Sequence, residues 1–252
     1  MAPADGGSTA NAEPLLIAEG ISVQFGGLRA LDDVSLSVNR GEIVSIIGPN
    51  GAGKTTLFQV LSGFVRPTRG RVEFCGARID GKSPVEICKR GLTRTFQIVE
   101  VFPTLSVYET LVAAALVRAP MAEARRIALE TAGLVGLSDK CHMPCRQLTL
   151  PDQKALEVGK AVATRPQMVL LDEVMAGLRP TEAQYMVDLI RSLRTRGISF
   201  VLVEHIMEII MRISDRVVVL GAGANVCEGS PAEVAHDPRV IEIYLGEEIA
   251  LA

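Results

Sequence analysis

The stretch Gly48-Pro49-Asn50-Gly51-Ala52-Gly53-Lys54-Thr55-Thr56 decides how this chain is read. It follows the apolar run Ile43-Val44-Ser45-Ile46-Ile47 and leads into Leu57-Phe58-Gln59-Val60-Leu61. Strand, glycine-rich turn and helix form the setting of a phosphate-binding loop, and Gly48, Gly53, Lys54 and Thr55 meet its G-x-x-x-x-G-K-T spacing. Glycines let successive backbone N–H groups from Gly48 to Thr56 turn inward as an anion nest, and the helix that begins there adds the positive end of its dipole. Lys54 is placed to reach the β- and γ-phosphates, and the Thr55 hydroxyl to ligate Mg²⁺.

Other segments extend the α/β pattern. Met168-Val169-Leu170-Leu171, Phe200-Val201-Leu202-Val203 and Val217-Val218-Val219-Leu220 are continuous apolar runs, the form of strands buried on both faces of a parallel sheet. Helical patterns over 181–196 and 206–213 alternate with them, the first capped by Thr181. Such strands account for a hydrophobic content of 48% and a mean hydropathy of +0.29. The longest apolar stretch, Leu111 to Val117, is too short to span a bilayer. Between Phe102 and Arg165 the pattern is almost wholly helical, so a helical subdomain (about 98–165) is expected within a nucleotide-binding core (about 15–97 and 166–252). Residues 1–14 carry no Lys or Arg and no apolar run, and read as a disordered tail.

Two acidic residues, Asp172 and Glu173, end the run Met168–Leu171. The carboxyl ends of parallel strands open on the ligand crevice. There Asp172 can hold Mg²⁺ beside Thr55, and Glu173, projecting the other way, can polarise an attacking water. His205 ends the run through Glu204 at the same sheet edge, where it can contact a γ-phosphate. Gln97 ends Leu92–Gln97, and its amide can reach the metal or the water. Phe25, between polar and glycine neighbours, is either a core residue at a strand end or a ring offered to a planar ligand.

A net charge of -3 without Trp argues against a nucleic-acid partner. The five cysteines are scattered and odd in number, as suits a reducing compartment. Cys141-His142-Met143-Pro144-Cys145 lacks the second cluster that a four-ligand zinc site needs.

In this order, these features resemble the ATP-binding subunits of ABC transporters, from about Leu15 to Gly246. The resemblance implies an α/β P-loop NTPase fold: a RecA-like core with a parallel sheet, an antiparallel β-subdomain and an inserted α-helical subdomain. It makes Gly48–Thr56 the Walker A loop, Gln97 the Q-loop glutamine and Met168–Asp172 Walker B. It also makes Glu173 the catalytic glutamate, His205 the switch histidine and Phe25 the adenine-stacking aromatic. ATP and Mg²⁺ are the implied ligands. Arg94-Thr95-Phe96-Gln97, Ala176-Gly177-Leu178 and the ending Val240–Gly246 look most like the branched-chain amino-acid importers. That resemblance implies transmembrane permease subunits docking near Gln97 and residues 98–104, a second ATPase chain, an indirect solute-binding partner, and a peripheral place on the cytoplasmic face of the cell membrane. A non-transport ABC ATPase and a regulatory ATP-binding module are the alternatives.

The resemblance breaks at the signature, normally Leu-Ser-Gly-Gly-Gln and here Leu148-Thr149-Leu150-Pro151-Asp152. Thr149 keeps a hydroxyl for the opposing subunit's ATP. Pro151 lacks an N–H donor, and Asp152 sets a negative charge where an anion is expected. Arg179 occupies a D-loop position that is usually acidic or an amide, where it can pair across a dimer or be solvated. An asymmetric heterodimer is the expected consequence.

Overall fold

The computed structural model describes residues 14–95 and 102–243. Gln97, residues 98–101, Tyr244–Gly246 and all of the expected tail except Pro14 lie outside them.

The chain opens with two long antiparallel strands, β1 (Leu16–Phe25) and β2 (Leu28–Val38), around a Gly26-Gly27 turn. Only Val34–Val38 reads as strand in this second segment. The charged beginning, Leu28 to Asp33, is strand because β1 supplies its hydrogen bonds, while Arg29 and Asp32 stay in solvent as an ion pair. The core strand β3 (Ile43–Ile47) is buried at every position and enters the glycine loop, from which α1 (Lys54–Leu61) departs. Strands β4 (Arg69–Phe74) and β5 (Ala77–Arg78) then complete an antiparallel sheet in the order β2-β1-β4-β5. Next, α2 (Pro84–Arg90) is closed by a reciprocal Ser83–Glu86 capping box, and β6 (Leu92–Arg94) follows.

The helical stretch resolves into α3 (Val107–Ala115), α4 (Met121–Leu134) and α5 (Leu150–Ala163), with short 3₁₀ turns at Ser138–Lys140 and Cys145–Gln147. Pro120 separates α3 from α4, since its ring cannot sit inside a helix. The remaining elements are β7 (Met168–Asp172), α6 (Pro180–Arg194), β8 (Ser199–Val203), α7 (Met207–Ile213), β9 (Arg216–Gly221), β10 (Ala224–Gly229) and α8 (Pro231–Ala235). The expected cap of α6 was Thr181; the N-cap is Arg179, one position before Pro180, because proline favours the first helical turn. A final hairpin strand, β10, was not anticipated.

Among the described residues, the second sheet runs β10-β9-β3-β8-β7-β6, parallel except for β10 at its edge. Its central strands β3, β7 and β8 are buried at every position, and β9 at all but its two ends. One face packs with the inner sides of α3, α4, α5 and α6: Val169, Leu171, Phe200 and Leu202 share a continuous apolar core with Leu111, Ala128, Leu156 and Ile190. Among the described residues, the apolar core of the helical segment is thus continuous with that of the sheet. The opposite face packs against α1 and the antiparallel sheet through Val44, Ile46, Phe58, Leu31 and Phe74.

The turn between β9 and β10 joins the two sheets. Gly223 N–H donates to Ala52 O at 3.2 Å, and Asp32 N–H donates to Gly223 O at 2.8 Å. Asn225 adds a paired link: its side-chain carbonyl accepts from Ser35 N–H at 2.8 Å and its amide donates to Ser35 O at 3.1 Å. The hairpin carrying Phe25 and the loop carrying Lys54 are thereby fixed to one another.

Candidate nucleotide site

The glycine loop adopts the backbone its composition demands. Gly48 has φ 147°, and a Cβ there would lie 2.1 Å from Leu220 O on the neighbouring strand β9. Gly53 caps α1 at φ 100°, and a Cβ would meet Leu31 Cδ2 at 2.6 Å and Ala30 O at 2.8 Å. Only glycine fits either position. Lys54 is buried, its Nζ donating to Gly48 O at 2.5 Å and Pro49 O at 2.8 Å. The ammonium is thus held over the loop it is expected to serve.

A cleft of about 330 Å³ runs across this loop, lined by Asn50 to Thr56, by Phe25, Leu28 and Arg29, and by Glu173 and His205. Phe25 is 49% exposed at the end of β1, so of its two readings the core one fails: the ring faces the cleft. The sequence-predicted residues Phe25, Lys54, Thr55, Glu173 and His205 converge here from four separate segments.

Glu173 leaves β7 with φ 49°, left-handed for a residue that bears a Cβ. Such a conformation costs of order 1–3 kcal/mol and persists where its surroundings fix it. Here Glu173 N–H donates to Val203 O at 2.9 Å, and the buried Lys154 Nζ donates to Glu173 O at 3.2 Å. His205 Nε2 donates to Glu173 Oε1 at 2.5 Å, the imidazole half exposed and the carboxylate largely covered. His205 therefore orients Glu173 in this structure.

Asp172 sits differently from its neighbour. It is buried, its Oδ2 accepts from Arg94 Nη2 at 2.7 Å, and it is not among the residues lining the cleft. Arg94 comes from β6, whose register sets Arg94 beside Leu170 of β7, two residues before Asp172. The guanidinium also lies 5.7 Å from the Phe58 ring centroid. Thr55 and Asp172 are hard oxygen donors, the chemistry that Mg²⁺ prefers.

Glu204 escaped the sequence reading. A charged residue after an apolar strand resembles a solvated strand end, yet Glu204 is 3% exposed and its Oε1 accepts from Met175 N–H at 3.0 Å. Burial is the main cause that pushes its carboxyl up to about 7, with the charge of Glu173 adding to it.

Thr149 is the N-cap of α5 and does not line the cleft. Its hydroxyl donates to Asp152 Oδ2 at 2.7 Å, and Lys140 Nζ donates to the same oxygen at 2.6 Å. Burial raises the Asp152 pKa, but these bonds outweigh it and hold the carboxyl below its usual range. The negative charge expected to repel an anion is thus matched by Lys140, while the Thr149 hydroxyl proton is already engaged. Arg179 is exposed and bonds Glu182 of its own helix.

A family model for the ABC transporter matches residues 31–176, and one for the branched-chain amino acid ATP-binding cassette transporter matches 225–250. The chain is 37% identical to the high-affinity branched-chain amino acid transport ATP-binding protein LivG of Salmonella typhimurium, over 93% of this chain and 99% of that one. It is 37% identical to BraF of Pseudomonas aeruginosa, a protein with the same description, over 93% and 98%. Among solved structures, the ADP conformation of an ATP-binding cassette of an ABC transporter superposes with a TM-score of 0.86 at 33% identity, covering 92% of this chain and 99% of that one. A nucleotide-free ATP-binding cassette gives 0.85 at 31% identity, covering 92% and 98%. Phosphate loop, sheet order, family model and relatives agree: this chain belongs to the ABC transporter family, as one of its ATP-binding subunits.

Proposed function

We propose that this chain hydrolyses ATP to drive uptake of branched-chain or closely related amino acids through transmembrane permease subunits. The observation that carries the hydrolytic reading is the Glu173–His205 pair, 2.5 Å apart at the mouth of the cleft that Lys54 lines. The relatives' printed function and the match over residues 225–250 support the amino-acid reading.

In this reading Phe25 stacks on the base, the loop N–H groups hold the phosphates, and Lys54 moves from Gly48 O and Pro49 O onto the β- and γ-phosphates. Glu173, oriented by His205, accepts a hydrogen bond from the attacking water and draws its proton toward Oε2 or Oε1. Thr55, Asp172 and Gln97 would hold Mg²⁺, which supplies neutralisation of phosphate charge. No described helix is long and apolar enough to cross a membrane. A peripheral place on the cytoplasmic face of the cell membrane, beside permease subunits fed by a solute-binding protein, follows from the family resemblance.

A second ATPase chain completes the site. The signature favours a heterodimer, because Pro151 removes one donor and Thr149 spends its hydroxyl proton on Asp152. The competent site then pairs this chain's phosphate loop with the partner's signature. ATP turnover by the purified chain, measured against its concentration beside Glu173→Gln, tests both parts. Tight ATP binding with negligible turnover alone, rescued by the partner ATPase, is expected; turnover that rises more than linearly with concentration overturns the heterodimer. A Glu173→Gln chain that hydrolyses as fast as its parent in the assembled transporter overturns the role of Glu173. Vesicles bearing the transporter should accumulate labelled leucine with ATP inside the reaction's reach; accumulation of none of the branched-chain amino acids overturns the substrate.

A further inference from the structure

The turn after β7 is held in part by two buried charged side chains outside the cleft. Glu173 takes a left-handed φ of 49°, and the chain then runs through Val174 and Met175 to Ala176, whose N–H donates back to Glu173 O at 3.2 Å. Lys154, 4% exposed on α5, grips the same Glu173 carbonyl. Glu204, 3% exposed at the end of β8, grips Met175 N–H at 3.0 Å. The turn is therefore bracketed from one side by the helix that carries the signature and from the other by the residue preceding His205.

We propose that Glu204 is a positioning residue for hydrolysis: as the buried acceptor of Met175 N–H, it fixes the left-handed turn that aims Glu173 at the cleft. The inference rests on reading Glu173 as the group that polarises water. Three features support it. A carboxylate side chain is the acceptor for an N–H buried in an apolar neighbourhood that includes Val174 and Met175 themselves, where an unmet donor is costly. The backbone of Glu204 belongs to the same segment as His205, so one short stretch contacts Glu173 through its imidazole and, two residues beyond Glu173, through its carboxyl. Met175 also opens the Ala176-Gly177-Leu178-Arg179 segment, so the bracket connects that segment to the orientation of Glu173.

A positioning role differs from a structural one in what it moves. Catalytic geometry is lost steeply with small displacements, whereas the phosphate loop that binds nucleotide shares no hydrogen bond with Glu204. The test uses the assembled transporter carrying Glu204→Leu, Glu204→Asp or Glu204→Gln, with Glu173→Gln alongside. Leucine removes the acceptor, aspartate keeps the carboxyl but withdraws it by one methylene, and glutamine keeps the acceptor oxygen in place. Turnover should fall by about tenfold or more for Leu and Asp, with the KM for ATP and the affinity of the full chain for a fluorescent ATP analogue within about twofold of the parent. Glutamine should restore kcat to within about threefold. Should Glu204→Leu fail to fold, the Asp and Gln pair decides alone. Parental turnover in the Asp variant, a Gln variant as slow as the Asp one, or KM rising in step with the loss of kcat each overturns the proposal. An active Glu173→Gln would instead overturn the reading on which it rests, and an inactive one beside a fast Glu204→Asp leaves that reading intact while removing the role of Glu204.

Discussion

Replacing Arg94 by methionine isolates a buried ion pair beside the site. The Arg94 and Asp172 side chains are 9% and 3% exposed and meet at 2.7 Å, so neither has water to fall back on. Methionine keeps an apolar stem against Phe58 but leaves Asp172 as a buried carboxylate without its guanidinium. Breaking a buried pair by removing one partner costs about 3–5 kcal/mol, mostly the desolvation of the remaining charge. In a chain of this size each kcal/mol moves the thermal midpoint by about 2–4 °C, giving an expected loss of about 6–20 °C. Scanning calorimetry of the nucleotide-free chain measures it. The companion variant Arg94→Met with Asp172→Leu should recover most of the loss, because removing both charges also removes the desolvation term. A single variant within about 3 °C of the parent would refute the reasoning, since it would mean that the pair behaves like a solvated one. So would a double variant less stable than the single one.

Gly48→Ala forces a Cβ to within 2.1 Å of a backbone carbonyl on β9, so the variant should lose nucleotide binding and aggregate on expression; a soluble chain with parental affinity for ATP would contradict the geometry. Glu204 sets a pH dependence of stability. Its carboxyl, raised from 4.5 to about 7, keeps a proton in the folded chain that the unfolded chain has released, so its contribution is complete below about 4.5 and is lost by the time the pH passes about 7. That loss amounts to about 3 kcal/mol in a pocket faced by Glu173, His205 and Lys154, and Glu204→Gln escapes it. The melting temperature of Glu204→Gln should therefore rise relative to the parent by about 6–12 °C between pH 5 and pH 8, and a constant offset would disprove it. Lys140→Met removes the cation from Asp152; because Lys140 is 38% exposed, the expected cost at pH 7 is at most about 1 kcal/mol. The lowered Asp152 carboxyl gives stability present above its unfolded pKa and lost on acidification, so the difference between Lys140→Met and its parent should shrink as denaturation is measured toward pH 3.

What was legible in the sequence was local. Apolar β3 running into glycines at 48, 51 and 53 identifies the phosphate loop without any tertiary knowledge, because the loop's chemistry is written within nine residues. The shared sheet edge of Asp172, Glu173 and His205 was legible for a related reason: each ends an apolar run, and parallel strands end on the same edge. Arg94 on Asp172 was not legible, because 78 residues separate them and only the neighbouring of β6 and β7 brings them together. The early half of β2 was hidden by its charges, which an edge strand tolerates in solvent. Glu204 reads only as the last residue of the strand before His205, because its partner Met175 lies 29 residues away. The ion pair of Asp152 was not legible because its partner, Lys140, stands twelve residues away across a turn.

The small hairpin turn at Ala222 and Gly223 behaves like the spine of a calliper. One jaw is the β1–β2 hairpin with Phe25 at its tip, the other is the phosphate loop, and Gly223 touches both through its own N–H and carbonyl. Its φ of 82° and the 2.9 Å that a Cβ would leave to Ala30 O allow no bulk between them. Any side chain at position 223 would therefore push the jaws apart, and in the proposed reading it would alter the distance between the ring that meets the base and the loop that meets the phosphates.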